Sequence, residues 1–146
     1  MLHPRNVETF TKEVTIKKQP SKVLLQVGTN DLTRIKSSAD VITKINNTIT
    51  MLGSEFPDAR IYVSSLLPRK DKLNKTAMEI NKLLEEYCDS TKKVTFIDHT
   101  NSIGRSDLYD NLHIDAHGFY KFLWNIRYGM FGLLPPTNKR CNNRRR

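Results

Sequence analysis

Three short apolar segments, separated from one another by stretches of helical periodicity, constrain the fold of this chain most strongly. The segments are 23–27 (VLLQV), Arg60–Ser64 (RIYVS) and Val94–Ile97 (VTFI). Each has the length and composition of a buried strand. Because strands that alternate with helices form parallel sheets joined by right-handed crossovers, the sequence predicts an α/β fold.

The predicted helices cover 40–56, 74–88 and 116–128. In each of them apolar residues recur at intervals of three or four, which places them on one helical face. Asp115 precedes the last helix and is a natural N-cap. In such sheets the functional groups follow the carboxyl ends of the strands, so those loops are the places to search for chemistry.

Length and composition indicate one compact domain. The chain has 146 residues, of which 38% are hydrophobic and 27% charged, and this is typical of a globular protein with its own core. No apolar run reaches the ~18 residues of a membrane helix. The first ten residues lack the apolar core of a signal peptide. We therefore expect an intracellular protein, placed in the cytoplasm with the nucleus left open.

The net charge of +9 is concentrated at one end of the chain. Residues 137–146 contain no acid and supply five of the nine excess charges. We expect a domain over 1–136 followed by a disordered basic tail, which could bind nucleic-acid phosphates or simply remain solvated. The basic residues of the tail are Lys139, Arg140, Arg144, Arg145 and Arg146.

A carboxamide follows the first predicted strand. Gly28 permits a sharp turn there, and Asn30 then lies at the functional edge of the sheet, where its amide could donate to an oxyanion. The alternative is that Asn30 and Asp31 only shape a turn.

A carboxylate–imidazole pair follows the third predicted strand. Asp110 precedes His113 by three residues, just before the last helix, and a carboxylate that orients an imidazole general base is a common use of such a pair. Two alternatives remain: Asp110 and His113 could be surface residues, or they could bind a metal together with His117.

The remaining candidates carry weaker signals. Ser64 and Ser65 end the second strand without a nucleophile-elbow motif and are interpreted as turn residues. His3 and His99 have no evident partner in the sequence. Cys88 and Cys141 show neither metal spacing nor a disulfide framework. No cofactor is expected.

Taken together, the motifs resemble the SGNH (GDSL-type) hydrolase family. Its Gly-x-Asn-Asp block is matched by residues 28–31, and its Asp-x-x-His block by residues 110–113. The Ser-Ser-Leu-Leu-Pro-Arg stretch at 64–69 is similar to the esterase-like domains of animal retroelement proteins. The resemblance covers about residues 20–128.

This resemblance implies a three-layer α/β/α sandwich with a flavodoxin-like parallel sheet, and hydrolysis of carboxylic esters by a serine. It assigns His113 as the base, Asp110 as its orienting group and Asn30 as an oxyanion donor. The family's Gly-Asp-Ser block, which supplies the nucleophile, has no match here. We therefore expect an incomplete fold with three main strands, negligible turnover by this chain alone, and an exposed strand edge that favours self-association. The alternative is a non-catalytic nucleic-acid-binding or assembly module.

Overall fold

A computed structural model of the chain describes residues 19–34 and 37–133. Strands and helices alternate within these ranges, so the predicted α/β organisation is confirmed. The elements are β1 (Lys22–Leu25), α1 (Ser38–Glu55), β2 (Arg60–Ser64), α2 (Asn74–Asp89), β3 (Val94–Ile97) and α3 (Ala116–Phe131), with short 3-10 helices at Thr29–Thr33 and Arg105–Asp107.

The three strands form one parallel sheet in the order β1-β2-β3. Leu25 lies opposite Val63, and Val63 lies opposite Phe96. Because all three strands run in the same direction, the loops that follow them meet at one edge of the sheet. Within the described residues β1 pairs with β2 alone and is an edge strand.

The helices cover the two faces of the sheet unequally. Buried residues of α1 and α2 form one continuous core with one face of the sheet. Helix α3 lies on the opposite face, where a Cβ built at Gly129 would come within 2.8 Å of the Ile97 side chain. The result is three layers, with a single helix in the third. The core includes Leu25, Ile61, Val63 and Val94 from the strands, and Ile45, Ile49, Ile80 and Leu84 from the helices.

Strand β1 is shorter than predicted and ends at Leu25 rather than at Val27. The backbone pairing with β2 ends at the Leu25–Val63 position. At the next residue, Gln26, the contact with this strand end is made by the side-chain amide, which lies 3.4 Å from the Ser65 backbone oxygen. The N-cap prediction is confirmed, because the Asp115 carboxylate accepts a hydrogen bond from the Gly118 amide at 2.8 Å.

Several predicted features lie outside the described residues. These are His3, Cys141 and the basic tail over 137–146. Among the helices of the described ranges, none has the length and hydropathy that a bilayer crossing requires.

Candidate active site

The loop after β1 presents Asn30 at the carboxyl edge of the sheet. The chain turns at Gly28, whose φ of 110° lies in the region that favours glycine. A Cβ at Gly28 would also approach the Ile45 side chain to 3.1 Å. The 3-10 helix that follows buries Thr29 and Leu32 and leaves Asn30 exposed. The turn therefore directs the carboxamide outward while its neighbours anchor the loop.

Asp110 and His113 form a direct pair in the loop that precedes α3. Asp110 Oδ2 lies 2.7 Å from His113 Nδ1. The other carboxylate oxygen accepts backbone N–H bonds from His113 at 2.6 Å and Leu112 at 2.7 Å. The backbone hydrogen bond from His113, the ring contact and the Leu112 amide together lower the pKa of Asp110 to about 2.

This geometry fixes the chemistry of the imidazole. Because Asp110 is an anion, His113 Nδ1 carries a proton and donates to it, and the lone pair of the neutral ring is at Nε2. The Tyr109 ring stacks on the imidazole with centroids 5.8 Å apart. The His113 side chain is 61% exposed, so Nε2 is accessible to a reacting group.

Asn30 and His113 line the same cleft, which has a volume of about 580 Å³. Asp110 does not line this cleft; it contacts His113, which does. A second concavity, of about 690 Å³, lies along β3 and the end of α2 and contains none of these three residues. The other lining residues of the first cleft are Leu24, Gln26, Thr29, Leu67, Leu112, Ile114, Phe119 and Phe122.

The loop after β2 joins the two halves of the site. Arg69 is 4% exposed; it donates to the Thr29 carbonyl at 3.2 Å and pairs with the Asp71 carboxylate at 2.6 Å. This guanidinium is the main cause of the lowered pKa of Asp71. The next residue, Lys70, donates its amide to the Asn111 carbonyl at 2.9 Å. One short loop thus contacts both the segment that carries Asn30 and the segment that carries His113.

The role of Arg69 was not predicted from the sequence. Arg69 belongs to the Ser-Ser-Leu-Leu-Pro-Arg stretch at 64–69, to which the sequence assigns no chemical role. The available signal was a long cationic side chain in the loop after β2, five positions beyond Ser64. Its contact with the Thr29 carbonyl, 40 positions away, could not be read from the sequence.

Ser64, Ser65 and His99 form a buried network beside the cleft, and none of these three residues lines it. The expectation that His99 has no partner is wrong, because its Nε2 lies 2.9 Å from Ser64 Oγ and its Nδ1 lies 3.1 Å from the Asn125 amide nitrogen. Ser65 Oγ accepts from the His99 backbone amide at 3.0 Å. The Phe122 ring stacks on the imidazole at 4.5 Å.

This network does not activate Ser64. The Asn125 amide donates to Nδ1 of His99, so Nε2 carries the proton and donates to the Ser64 oxygen, the reverse of general-base activation. Burial lowers the pKa of His99 to about 4. Ser64 is the last residue of β2 and Ser65 follows it, and both are buried. These serines therefore end the strand as predicted, but they do not form the turn that was expected of them.

The metal alternative is not supported by the arrangement of the histidines. His117 pairs with Asp107 at 3.2 Å, and Lys121 contacts the same carboxylate at 3.0 Å. Residues 19–34 and 37–133 contain no group of three side chains able to hold a metal ion. Burial raises the pKa of the Cys88 thiol to about 11, so this cysteine is an unreactive core residue.

A carboxamide and an Asp–His pair at the carboxyl edge of a parallel sheet are found in α/β-type acyl hydrolases, where they accompany a nucleophilic hydroxyl. Comparison with known sequences agrees. The chain belongs to the GDSL-like lipase/acylhydrolase family, whose profile matches residues 4–123.

Curated relatives are similar over most of this chain. The platelet-activating factor acetylhydrolase IB subunit alpha2 of Rattus norvegicus is 26% identical over 129 residues, which cover 82% of this chain and 56% of the relative. The Homo sapiens protein of the same name gives the same values. The chain thus spans about half the length of the curated relatives it matches.

Solved structures share the fold. A GDSL-like lipase from Bacteroides thetaiotaomicron superposes with a TM-score of 0.72 at 15% identity, covering 86% of this chain and 69% of that protein. A carbohydrate esterase of family 3 from Talaromyces cellulolyticus gives 0.72 at 16% identity, covering 87% and 63%. At these identities the likeness establishes the α/β architecture.

Proposed function

We propose that this chain carries the base and oxyanion half of an acyl-hydrolase active site. The observation that supports it is the position of Asn30 and His113 on one cleft, with Asp110 bonded to the far side of the imidazole. The proposed reaction is the hydrolysis or transfer of a carboxylic ester, as the family suggests.

In the proposed reaction a hydroxyl attacks the ester carbonyl in the cleft. His113 Nε2 takes the hydroxyl proton as the new C–O bond forms, and Asp110 stabilises the resulting imidazolium. The carbonyl oxygen becomes an anion that accepts from the Asn30 amide. When the tetrahedral intermediate collapses, the C–O bond to the leaving alcohol breaks and the imidazolium returns the proton to it.

The described residues do not supply the attacking hydroxyl in an activated form. None of the serines within 19–34 and 37–133 lines the cleft. Thr29 does line it, but it is 8% exposed and has no hydrogen bond to His113. We therefore propose that the described residues do not supply the nucleophile and, because the sequence also has no match to the family's Gly-Asp-Ser block, that this chain alone has negligible esterase turnover.

Chemical complementation tests the proposal. The purified chain would be mixed with 4-nitrophenyl butanoate and increasing methanol, and formation of methyl butanoate would be followed by gas chromatography. Positioned general bases contribute about 10²–10⁴-fold, and because methanol is not held in place we expect at least about tenfold over His113→Ala.

His117→Ala is the matched control, since this histidine is also exposed and also paired with an aspartate but does not line the cleft. It should retain the methanol-dependent rate. Equal rates for wild type and His113→Ala would contradict the proposal.

A nucleic-acid-binding function is the second candidate. It is favoured by the five cations and absent acids of residues 137–146. If all five meet single-stranded phosphates, the slope of log K against log salt should be about −3.5. Deletion of 137–146 should remove that slope; binding that survives the deletion unchanged would exclude the tail as the site.

Self-association is a third property that we propose. Two features support it: the unpaired edge of β1 and the exposed apolar residues of α3. Seven of the nine exposed large hydrophobic residues found in the described part of the chain lie between Phe119 and Leu133, on and just after α3. An unpaired strand edge and an apolar helix face both favour contacts between chains. Sedimentation velocity should show a concentration-dependent increase in mass, and a monomer at every concentration would contradict this.

A further inference from the structure

We infer that Asp107 is a positioning residue, which fastens the loop that carries Asp110 and His113 to the first turns of α3 and thereby sets where the imidazole lies in the cleft. The inference rests on the proposed function, which assigns His113 as the base, and adds the group that holds this base in place. Asp107 itself does not line the cleft, so its effect on the reaction passes through His113.

Backbone contacts close the loop before α3 at its base. The Asp107 carbonyl accepts a hydrogen bond from the Asp115 amide at 2.7 Å, so the two ends of the loop meet there. Two more backbone pairings join the arms of the loop between this base and the tip. The pairs are Leu108 with Ile114 and Tyr109 with His113. The turn that holds Asp110 is therefore the tip of a loop whose position depends on its base.

The Asp107 carboxylate anchors this base to the neighbouring helix. It is 5% exposed, and Lys121 Nζ lies 3.0 Å from each of its oxygens. The Gly104 amide donates to Oδ2 at 2.9 Å and is the main cause of the lowered pKa of Asp107. Since a buried carboxylate is costly without donors, these contacts fix the loop base against α3.

His117 contributes less to this anchor. Its Nδ1 lies 3.2 Å from the Asp107 carboxylate, and its side chain is 74% exposed. Loss of the ring leaves the Lys121 and Gly104 contacts in place. His117→Ala is therefore expected to keep the loop in position.

Helix α3 touches the loop base directly at Gly118. A Cβ built at this position would lie 2.9 Å from the Asp107 carbonyl oxygen and 3.1 Å from Ile114 Cβ. Gly118 also donates its amide to the Asp115 side chain at 2.8 Å. The glycine thus permits a close approach of helix and loop that a larger residue could make only by displacing the loop.

The loop after β2 provides a reporter of where the tip lies. Lys70 donates its amide to the Asn111 carbonyl at 2.9 Å and its Nζ to the Leu108 carbonyl at 3.2 Å. Asn111 lies inside the Asp-x-x-His turn. A displaced loop base should therefore change the Lys70 amide signal while the chain stays folded.

Lys121→Met is the principal test, because Lys121 is 27% exposed and methionine keeps an apolar stem on the helix. In NMR spectra of the ¹⁵N-labelled chain we expect the Lys70 and Tyr109 amides to shift and to exchange faster with solvent. Lys121→Arg keeps the cation and should restore both signals. Arg127→Met removes an exposed cation of the same helix that is not among the partners of Asp107, and should leave them unchanged.

The methanol complementation assay measures the effect on the base, with rates corrected for the folded fraction. A misplacement of about 1 Å can cost about 10²-fold in rate. Because the wild-type advantage over His113→Ala is about tenfold, we expect Lys121→Met to lose at least about threefold and Lys121→Arg to recover it. The ¹⁵N shifts of the His113 ring should stay at wild-type values, since its contact with Asp110 is built within one turn.

Gly118→Ala tests the same loop base from the helix side. Its added methyl group must displace the Asp107 carbonyl, so the Lys70 amide should shift and the rate should fall as in Lys121→Met. Gly53→Ala is the matched control, since a Cβ there lies 3.9 Å from the Ile61 side chain, an ordinary contact. It should change neither readout.

Unchanged Lys70 and Tyr109 amides in both Lys121→Met and Gly118→Ala would overturn the inference, and so would unchanged rates in both. Equal losses in Lys121→Met and Lys121→Arg would show that the ion pair is not the anchor. Failure of the proposed function looks different: the wild-type chain would then show no methanol-dependent rate, while the amide signals would still decide whether Asp107 holds the loop.

Discussion

The carboxylate of Asp110 accepts three hydrogen bonds from two successive residues, and two of them come from His113 itself, through its ring and its backbone amide. The pair is therefore built within four residues of chain. Its geometry depends on a local turn, whereas its partner Asn30 must be brought in by the sheet.

We predict that Asp110→Asn removes most of the methanol-dependent activity without unfolding the chain. The amide cannot serve as an anionic acceptor for both N–H groups and the ring, so the imidazole loses its fixed tautomer, and we expect the rate to fall by about tenfold, close to that of His113→Ala. The pKa of Asp110 is about 2, so acidification to pH 4 leaves it ionised.

Protonation of Asp110 should therefore contribute nothing to any loss of rate between pH 7 and pH 4. Circular dichroism of Asp110→Asn provides the control for folding. Full activity in Asp110→Asn would show that the carboxylate does not orient the base.

Arg69 should couple the stability of the chain to the geometry of the cleft. In Arg69→Ala the Thr29 carbonyl and the Asp71 carboxylate lose their buried partner, and we expect a loss of about 1–3 kcal/mol in the free energy of unfolding. Arg69→Lys should recover only part of it, because an ammonium cannot reproduce the two-pronged contact.

Urea denaturation measures the stability, and the amide shifts of Asn30 and His113 report the cleft. Arg105→Ala is the matched control. Arg105 also donates to a backbone carbonyl of the loop after β2, that of Lys70 at 3.2 Å, but it does so from an exposed position. Arg105→Ala should change the free energy of unfolding little. Unchanged Asn30 and His113 shifts in Arg69→Ala would argue against a positioning role.

The buried His99 should make the folded state sensitive to acid. Burial lowers its pKa from 6.5 to about 4, so the unfolded chain binds a proton more readily than the folded chain does. Its contribution to stability is present above pH 6.5 and is lost as the pH falls towards 4, by at most about 3 kcal/mol.

Urea denaturation between pH 7 and pH 4 measures this loss in the free energy of unfolding. Protonation of carboxylates lowers the same free energy in this range, so the two losses add. His99→Gln can keep hydrogen bonds to Ser64 but cannot take up a proton. The slope of stability against pH in this range should therefore be smaller in His99→Gln, and an unchanged slope would contradict the assignment.

Residues that interact locally or through the rules of parallel sheets could be predicted from the sequence. Asp110 and His113 lie three positions apart, and the pattern of their segment was readable directly. Asn30 lies 83 positions from His113, but the meeting of strand ends at one edge placed both near the same cleft.

Residues that act through long-range side-chain contacts could not be predicted in this way. Arg69 contacts Thr29 across 40 positions, and His99 contacts Ser64 across 35. Neither periodicity nor a motif fixes which side chains meet inside the core, because that depends on how the helices pack on the sheet.

Gly28 should be intolerant of substitution, because two independent constraints act on it. Its φ of 110° is unfavourable for any residue with a side chain, and a Cβ would lie 3.1 Å from Ile45 Cδ1 and 3.3 Å from Leu66 Cδ1. Gly28→Ala should therefore destabilise the fold by about 1–3 kcal/mol, measured by urea denaturation.

Gly104→Ala is the matched control, since its φ of −116° is ordinary and a Cβ there meets nothing within 4 Å. We expect it to be nearly neutral. Because Asn30 follows Gly28 by two residues, relaxation of the turn in Gly28→Ala should also displace the carboxamide from the cleft and lower the methanol-dependent rate. Equal stability of the two variants would show that the turn adapts and that Gly28 does not hold Asn30 in place.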